Sequence, residues 1–158
     1  MTDHKHTIKK FYSDFLEKSD LVCYYTKLPL VYNKSLAKMQ KDSYIKNPLR
    51  ATVEHLAPLQ RNEHDEEIVK DNLTVASNGI NGLLGCAPLK VKLALKEHLL
   101  NVVDDASLTL EKRYEVYAVA AVAWMEQYKV DGYYCWDWVS ISGNAVLRER
   151  LKVRFEEI

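Results

Sequence analysis

The sequence has few of the residues that mark specialised classes of small protein. Its 158 residues include only three Cys, five Gly and four Pro. Cys23, Cys86 and Cys135 are odd in number and widely spaced, with no Cys-x-x-Cys pair, which argues against a disulfide scaffold or a zinc site. Glycine and proline are too scarce for a collagen-like or low-complexity chain. We therefore expect an ordinary folded domain with reduced thiols.

The chain also lacks an excess of charge of one sign and a long apolar run. Its 22 Lys and Arg balance 22 Asp and Glu, so the whole-chain charge gives no indication of nucleic acid or a membrane surface as a partner. The longest mostly apolar stretch, 116–125, is about half the length that a membrane-spanning helix needs. Polar residues at the beginning take the place of the apolar part of a secretory signal. These features predict a cytoplasmic protein with no membrane partner.

The balanced charge hides an uneven distribution along the chain. Residues 1–61 contain 11 Lys and Arg against six Asp and Glu, whereas residues 62–142 contain seven against 13. Gly79, Gly82 and Gly85 cluster between the two parts and predict a break in regular structure. The length and the 47% hydrophobic content predict a single domain. We expect it to span 1–158, with a basic half 1–77, a glycine-rich break 78–85 and a second half 86–158.

Apolar side chains recur at three- and four-residue spacing through most of the sequence, which predicts an all-α domain of six or seven helices. Thr7 is a candidate N-cap for the first helix, and Pro88 opens the fifth. The fifth and sixth helices carry the most apolar residues, so we expect them to be central. An extended aromatic segment, 133–141, precedes a last segment, 146–155, whose pattern allows helix or strand and for which we favour a helix. The other predicted helices are 8–22, 33–44, 47–58, 62–76, 88–103 and 108–130.

Two candidate catalytic sites can be named from the residues, and both lack partners. His64–Asp65 resembles the paired ligands of the HD phosphohydrolases, in which imidazole and carboxylate hold a divalent metal that activates water. The flanking acidic residues of Asn62–Glu67 favour a solvated helix start instead. Cys86 precedes a helix, where its thiol pKa could be lowered, but His98 lies too far along that helix to act as its base. We therefore predict no catalytic residue, metal or cofactor, and keep a helical metal-dependent phosphohydrolase as the second alternative.

A basic and tyrosine-rich pattern in the first half favours an anionic partner. Lys34, Lys38 and Lys41 are spaced to lie on one helix face. The tyrosines interleaved with this pattern are Tyr24, Tyr25, Tyr32 and Tyr44. Because basic side chains neutralise phosphates and aromatic rings stack on bases, nucleic-acid binding through the basic half is the first alternative function. A solvated lysine face is the simpler interpretation.

A second pattern favours a protein partner. Tyr133, Tyr134, Trp136 and Trp138 place four large aromatic side chains within six positions. Tyr and Trp are favoured at protein interfaces because they bury a large area and keep a polar group, although core packing of these rings is an open alternative. The ten Tyr against three Phe point the same way, since a purely structural core gains from Phe without a hydroxyl to satisfy. The main prediction is a small non-catalytic adaptor or inhibitor that binds a larger protein or self-associates.

Overall fold

The computed structural model describes residues 3–57, 72–85 and 87–130, and the side chains of 9–57, 72–85 and 87–127. Within these ranges the chain forms six helices and one two-stranded antiparallel sheet. The prediction of an all-α domain is therefore wrong, and the architecture is mixed. In chain order the elements are α1 (Asp3–Lys18), α2 (Lys34–Lys38), α3 (Asp42–Ile45), β1 (Ala51–His55), β2 (Leu73–Ser77), α4 (Asn78–Leu84), α5 (Leu89–Leu99) and α6 (Leu110–Val130).

The sheet pairs β1 with β2, from Ala51 opposite Ser77 to His55 opposite Leu73. Periodicity predicted helices over 47–58 and 62–76, because apolar residues recur there every three or four positions. Each strand contains a Thr-Val pair, whose β-branched side chains fit the pleated surface of a sheet. Strand pairing satisfies backbone groups that a helix would satisfy internally, so a contact distant in sequence overrides the local pattern.

The lysine-rich helix predicted over 33–44 is in fact two short helices. Asn33 caps α2, and its side chain accepts a hydrogen bond from the backbone N–H of Leu36 at 3.0 Å. The chain then turns through Gln40, whose φ of 51° is left-handed, before α3 begins. This turn separates Lys41 from the helix that carries the other two predicted lysines.

The glycine-rich segment predicted to be a break is mostly helical. Gly79 and Gly82 both lie within α4, whose N-cap is Ser77. The backbone N–H of Gly79 donates to the carbonyl oxygen of Pro48 at 3.0 Å, a close approach that the missing side chain permits. Gly85 ends the helix with a φ of 53°, a backbone region that glycine enters at little cost. Gly79 therefore allows α4 to pack closely against its neighbour, and Gly85 ends the helix.

The core lies between the sheet and α4, α5 and α6, with residues 23–28 packed against it. The sixth predicted helix is confirmed as central, since α6 extends to Val130 and buries Ala118 and Ala121 completely. The fifth is central on one side only, because α5 buries Leu95 and leaves Leu93 45% exposed. None of the helices in the three ranges given above combines the length and the apolar character needed to cross a bilayer.

Candidate anion-binding cleft

A cleft of about 590 Å³ opens between α1 and the segment 32–51. Its size is that of pockets that hold small ligands in proteins. Asp14 contributes a carboxylate to the lining. Cationic side chains predominate, and they come from three parts of the chain: Lys9, Lys10, Lys34, Lys38 and Arg50. The cleft is therefore basic although the chain as a whole carries no net charge.

One wall of the cleft is a stripe of α1. Tyr12 and Ser13 lie three and four residues after Lys9, and Leu16 lies four and three residues after them, so these four residues share one face of the helix. Tyr12 also connects this wall to the sheet, since its Oη lies 3.1 Å from Nε2 of His55 on β1. Tyr12 and Leu16, two residues of the helix predicted over 8–22, thus line the cleft.

The opposite wall is α2, which presents Lys34 and Lys38 one turn apart. Both residues belong to the predicted anion-binding set. Lys41 is exposed and lies outside the lining, because the left-handed turn at Gln40 has ended the helix before it. The structure therefore brings two of the three predicted lysines together with Lys9 and Lys10, which sequence reasoning missed.

The lysines of the cleft differ in whether their charge is compensated. Lys34 Nζ lies 3.0 Å from Glu17 Oε1, and this hydrogen bond raises the pKa of the lysine. Within the described side chains, Lys9, Lys10 and Lys38 form no ion pair. Three exposed cations are thus available to an anion without displacing a carboxylate.

Arg50 adds a positive charge of a different kind. Its Nε donates to the carbonyl oxygen of Ile45 and its Nη2 to Oδ1 of Asn78, each at 3.1 Å. Both acceptors are neutral, and no described carboxylate pairs with the guanidinium. Burial lowers the pKa of Arg50, but an arginine stays protonated at neutral pH. A half-buried guanidinium without a counter-charge is a strong attraction for an anion. The sequence shows Arg50 near the lysine pattern, but it does not show that Arg50 is half-buried beside Lys34 and Lys38.

Three tyrosines line the same cleft with their hydroxyl groups bonded to the protein. Tyr12 approaches His55, as described above, and Tyr32 donates to the carbonyl oxygen of Ser13 at 3.5 Å. Tyr44 Oη accepts a hydrogen bond from the backbone N–H of Asn33 at 2.8 Å. Burial raises the pKa of Tyr12, which keeps its hydroxyl neutral. A ligand in the cleft would accordingly meet mainly the ring carbons of these residues.

The other two predicted tyrosines lie elsewhere. Tyr25 is buried and donates to Oε2 of Glu54 at 2.9 Å. The ring of Tyr24 lies under Lys96, whose Nζ is 3.8 Å from the ring centre. The lysines and tyrosines that alternate in the sequence therefore lie in two different places, some in the cleft and others in or against the core.

A buried ion pair, Lys92–Glu54, joins α5 to β1. Lys92 Nζ lies 3.0 Å from Glu54 Oε1 and also donates to the carbonyl oxygen of His55. Both charged side chains are almost fully buried. Burial raises the pKa of Glu54, whereas the ammonium group of Lys92 and the hydroxyl of Tyr25 lower it. The pair lines neither this cleft nor the smaller pocket beside Cys23, and it acts as a structural clamp between α5 and the strand that positions Tyr12.

Several predicted residues lie outside the described part of the chain. They are the protein-binding set Tyr133, Tyr134, Trp136 and Trp138, the His64–Asp65 pair, and Cys86. Cys23 is fully buried with Sγ 3.8 Å from Ser77 Oγ, as is typical of a structural thiol. Across the residues that the structure does describe, no three His, Cys, Asp or Glu side chains are close enough together to hold a metal ion.

Comparison with known proteins adds no relative. The chain matches no protein-family model, no curated protein and no solved structure. The chemistry of the cleft is therefore the basis for assigning a function.

Proposed function

We propose that the protein binds nucleic acid through the basic cleft, without catalysing a reaction. The observation that carries this proposal is the concentration of uncompensated positive charge in a concave site. Lys9, Lys10 and Lys38 have no acidic partner among the described residues, and Arg50 is half-buried with neutral acceptors alone. Such charges attract phosphates, and release of counterions from the nucleic acid drives the association.

Titration with salt tests this proposal. Fluorescence anisotropy of a labelled oligonucleotide should show an affinity that falls linearly with salt on logarithmic axes. Lys9→Ala and Lys38→Ala should each weaken binding to all sequences alike and reduce the slope by about one unit, because each removes one phosphate contact. Lys18→Ala is the matched control, since Lys18 is exposed on the same helix but does not line the cleft. Absence of binding at low salt, or an equal effect of Lys18→Ala, would refute the proposal.

The exposed face of α5 favours a second candidate function, protein binding. Leu89, Leu93 and Leu100 are 39%, 45% and 65% exposed, and their spacing places them on one face. The same helix buries a charged residue, Lys92, while these leucines face solvent. The exposed leucines are therefore not explained by a helix that is apolar on every side. We propose this face as a self-association surface, because a leucine stripe can pair with its own copy across a two-fold axis. The aromatic segment 133–138 stays a prediction for the same role.

Sedimentation velocity over a range of protein concentrations tests the second candidate. Leu93→Asp should weaken self-association by about tenfold or more, because it places a charge in the apolar contact. Val116→Asp is the control, since Val116 is 44% exposed but lies on α6. A wild-type chain that stays monomeric at every concentration would contradict this candidate.

A further inference from the structure

If the cleft binds nucleic acid as proposed above, we infer that it receives one unpaired nucleotide, so that the ligand is a single strand or a free nucleotide and a duplex is excluded. Two properties of the lining carry this inference. Aromatic ring carbons lie among the cations, and the most buried of these cations, Arg50, lines the cleft with them.

The shape of the site favours one nucleotide unit. A volume of about 590 Å³ lies in the range of pockets that enclose small ligands. A double helix carries its phosphates on the outside of a stiff rod and keeps its bases stacked inside. It could touch the exposed lysines at the rim, but it could not bring a phosphate to Arg50 and a base to the tyrosines at the same time. An unpaired nucleotide can do both.

The free donors of Arg50 indicate where the phosphate binds. Nε and Nη2 are bonded to Ile45 and Asn78, and Nη1 makes no hydrogen bond with any residue in the described ranges. The N–H groups of Nη1 can therefore donate to a phosphate oxygen, with Lys9 and Lys38 adding charge from the two walls. The hydrogen bonds of the other nitrogens hold the guanidinium in place, so little conformational freedom is lost on binding.

The tyrosines indicate where the base binds. Tyr12 and Tyr32 are half-buried, and their hydroxyl groups are bonded to His55 and Ser13, which restrains the rings. Base stacking on aromatic rings together with a basic groove is how proteins hold single strands with little sequence preference. Asp14 adds a carboxylate that can accept a hydrogen bond from a base amino group.

Competition experiments at low salt test the inference. A labelled single strand should bind at least about tenfold more tightly than the duplex of the same sequence, because only the unpaired bases can stack. A nucleoside monophosphate should displace the strand, and inorganic phosphate should do so much more weakly. If the monophosphate displaces the labelled strand at a concentration similar to that of an unlabelled strand, expressed per nucleotide, the ligand is a free nucleotide. Displacement at far higher concentrations identifies the strand.

Substitution of the ring tests the same point independently. Tyr32→Ala should weaken single-strand binding by about tenfold with an unchanged salt slope, because it removes stacking and no charge. Tyr24→Ala is the matched control, since Tyr24 is also half-buried but lies outside the cleft. Tyr32→Phe keeps the ring and removes only the hydroxyl, so it should retain the affinity even if Tyr32→Ala folds poorly.

The outcomes separate this inference from the proposed function. Equal affinity for single strand and duplex, or loss of affinity in Tyr32→Phe equal to that in Tyr32→Ala, would overturn the unpaired nucleotide and leave nucleic-acid binding intact. Failure of every probe to bind would overturn both.

Discussion

Lys92 and Glu54 are charged side chains that are 1% and 2% exposed within an otherwise apolar core. Taking two charges out of water costs several kcal/mol for each ion, and their mutual attraction offsets this only where the remaining polar atoms are hydrogen-bonded. Here Tyr25 donates to the second carboxylate oxygen, and Lys92 also donates to a backbone carbonyl oxygen. The pair therefore specifies how α5 sits on β1 more than it adds stability.

Removing one partner should be far more costly than removing both. Lys92→Met leaves Glu54 buried without a counter-charge, and we expect a loss of about 3–5 kcal/mol in the free energy of unfolding at neutral pH. The double variant Lys92→Met with Glu54→Gln contains no buried charge and should recover much of that loss. Urea denaturation gives both values, and Lys112→Met, an exposed lysine on α6, serves as the control.

The single variant should also depend on pH in a defined direction. Burial already raises the pKa of Glu54 above its ordinary value of 4.5, and loss of the Lys92 ammonium raises it further. A carboxyl whose pKa is raised in the folded state contributes its full stability below 4.5 and loses it as the pH rises through the folded pKa. Lys92→Met should therefore be less destabilised near about pH 5 than near about pH 7. Equal losses at both values would contradict this account.

At the scale of elements, α4 shows how position decides what a glycine does. Gly79 is buried, and its backbone N–H bonds to Pro48 in the segment before β1. Gly82 is half-buried within the same helix and has ordinary helical geometry. Glycine in a helix interior costs about 0.5–1 kcal/mol relative to alanine, because it loses more backbone freedom on folding. At Gly79 the close packing against Pro48 offsets this cost. At Gly82 no described hydrogen bond requires such a close approach, so the cost is not offset.

The two glycines should therefore respond oppositely to the same substitution. Gly82→Ala is expected to raise the free energy of unfolding by about 0.5–1 kcal/mol. Gly79→Ala is expected to lower it, because the added methyl group enters the space between α4 and Pro48. Thermal and urea unfolding followed by circular dichroism measure both changes. A stabilising Gly79→Ala would show that the close approach is not restrictive.

At the scale of the whole molecule, charge and core occupy different parts of the fold. The core cluster draws on residues 23–28, α4, α5 and α6. The cleft is formed by α1, α2 and the residues that lead into β1, where the basic excess of residues 1–61 is concentrated. The His55–Tyr12 contact connects the two parts, since β1 belongs to the clamped sheet and Tyr12 to the cleft wall. A ligand in the cleft would thus bind against a rigid floor.

Local sequence determined the longer helices of this protein. Apolar spacing along α1, Pro88 before α5 and the long periodic stretch of α6 all predicted helices that the structure contains. Lys34 and Lys38 could likewise be placed on one face from their spacing alone. The backbone hydrogen bonds of a helix join residues four apart, so a short stretch of sequence is enough to predict that a helix forms and which residues share a face.

Only the tertiary structure decided the strands, the buried ion pair and most of the cleft. Residues 51–55 and 73–77 carry a helix-like apolar spacing and became strands because each satisfied the other's backbone groups. Lys92 binds Glu54, which lies 38 positions earlier, and no local pattern in the sequence pairs the two residues. Lys9 and Arg50 joined the predicted lysines through the packing of α1 on the sheet. Each of these features depends on partners that are far apart in sequence. Their pairing follows from the burial of surface and charge over the whole fold, and the spacing of residues within a short segment does not predict it.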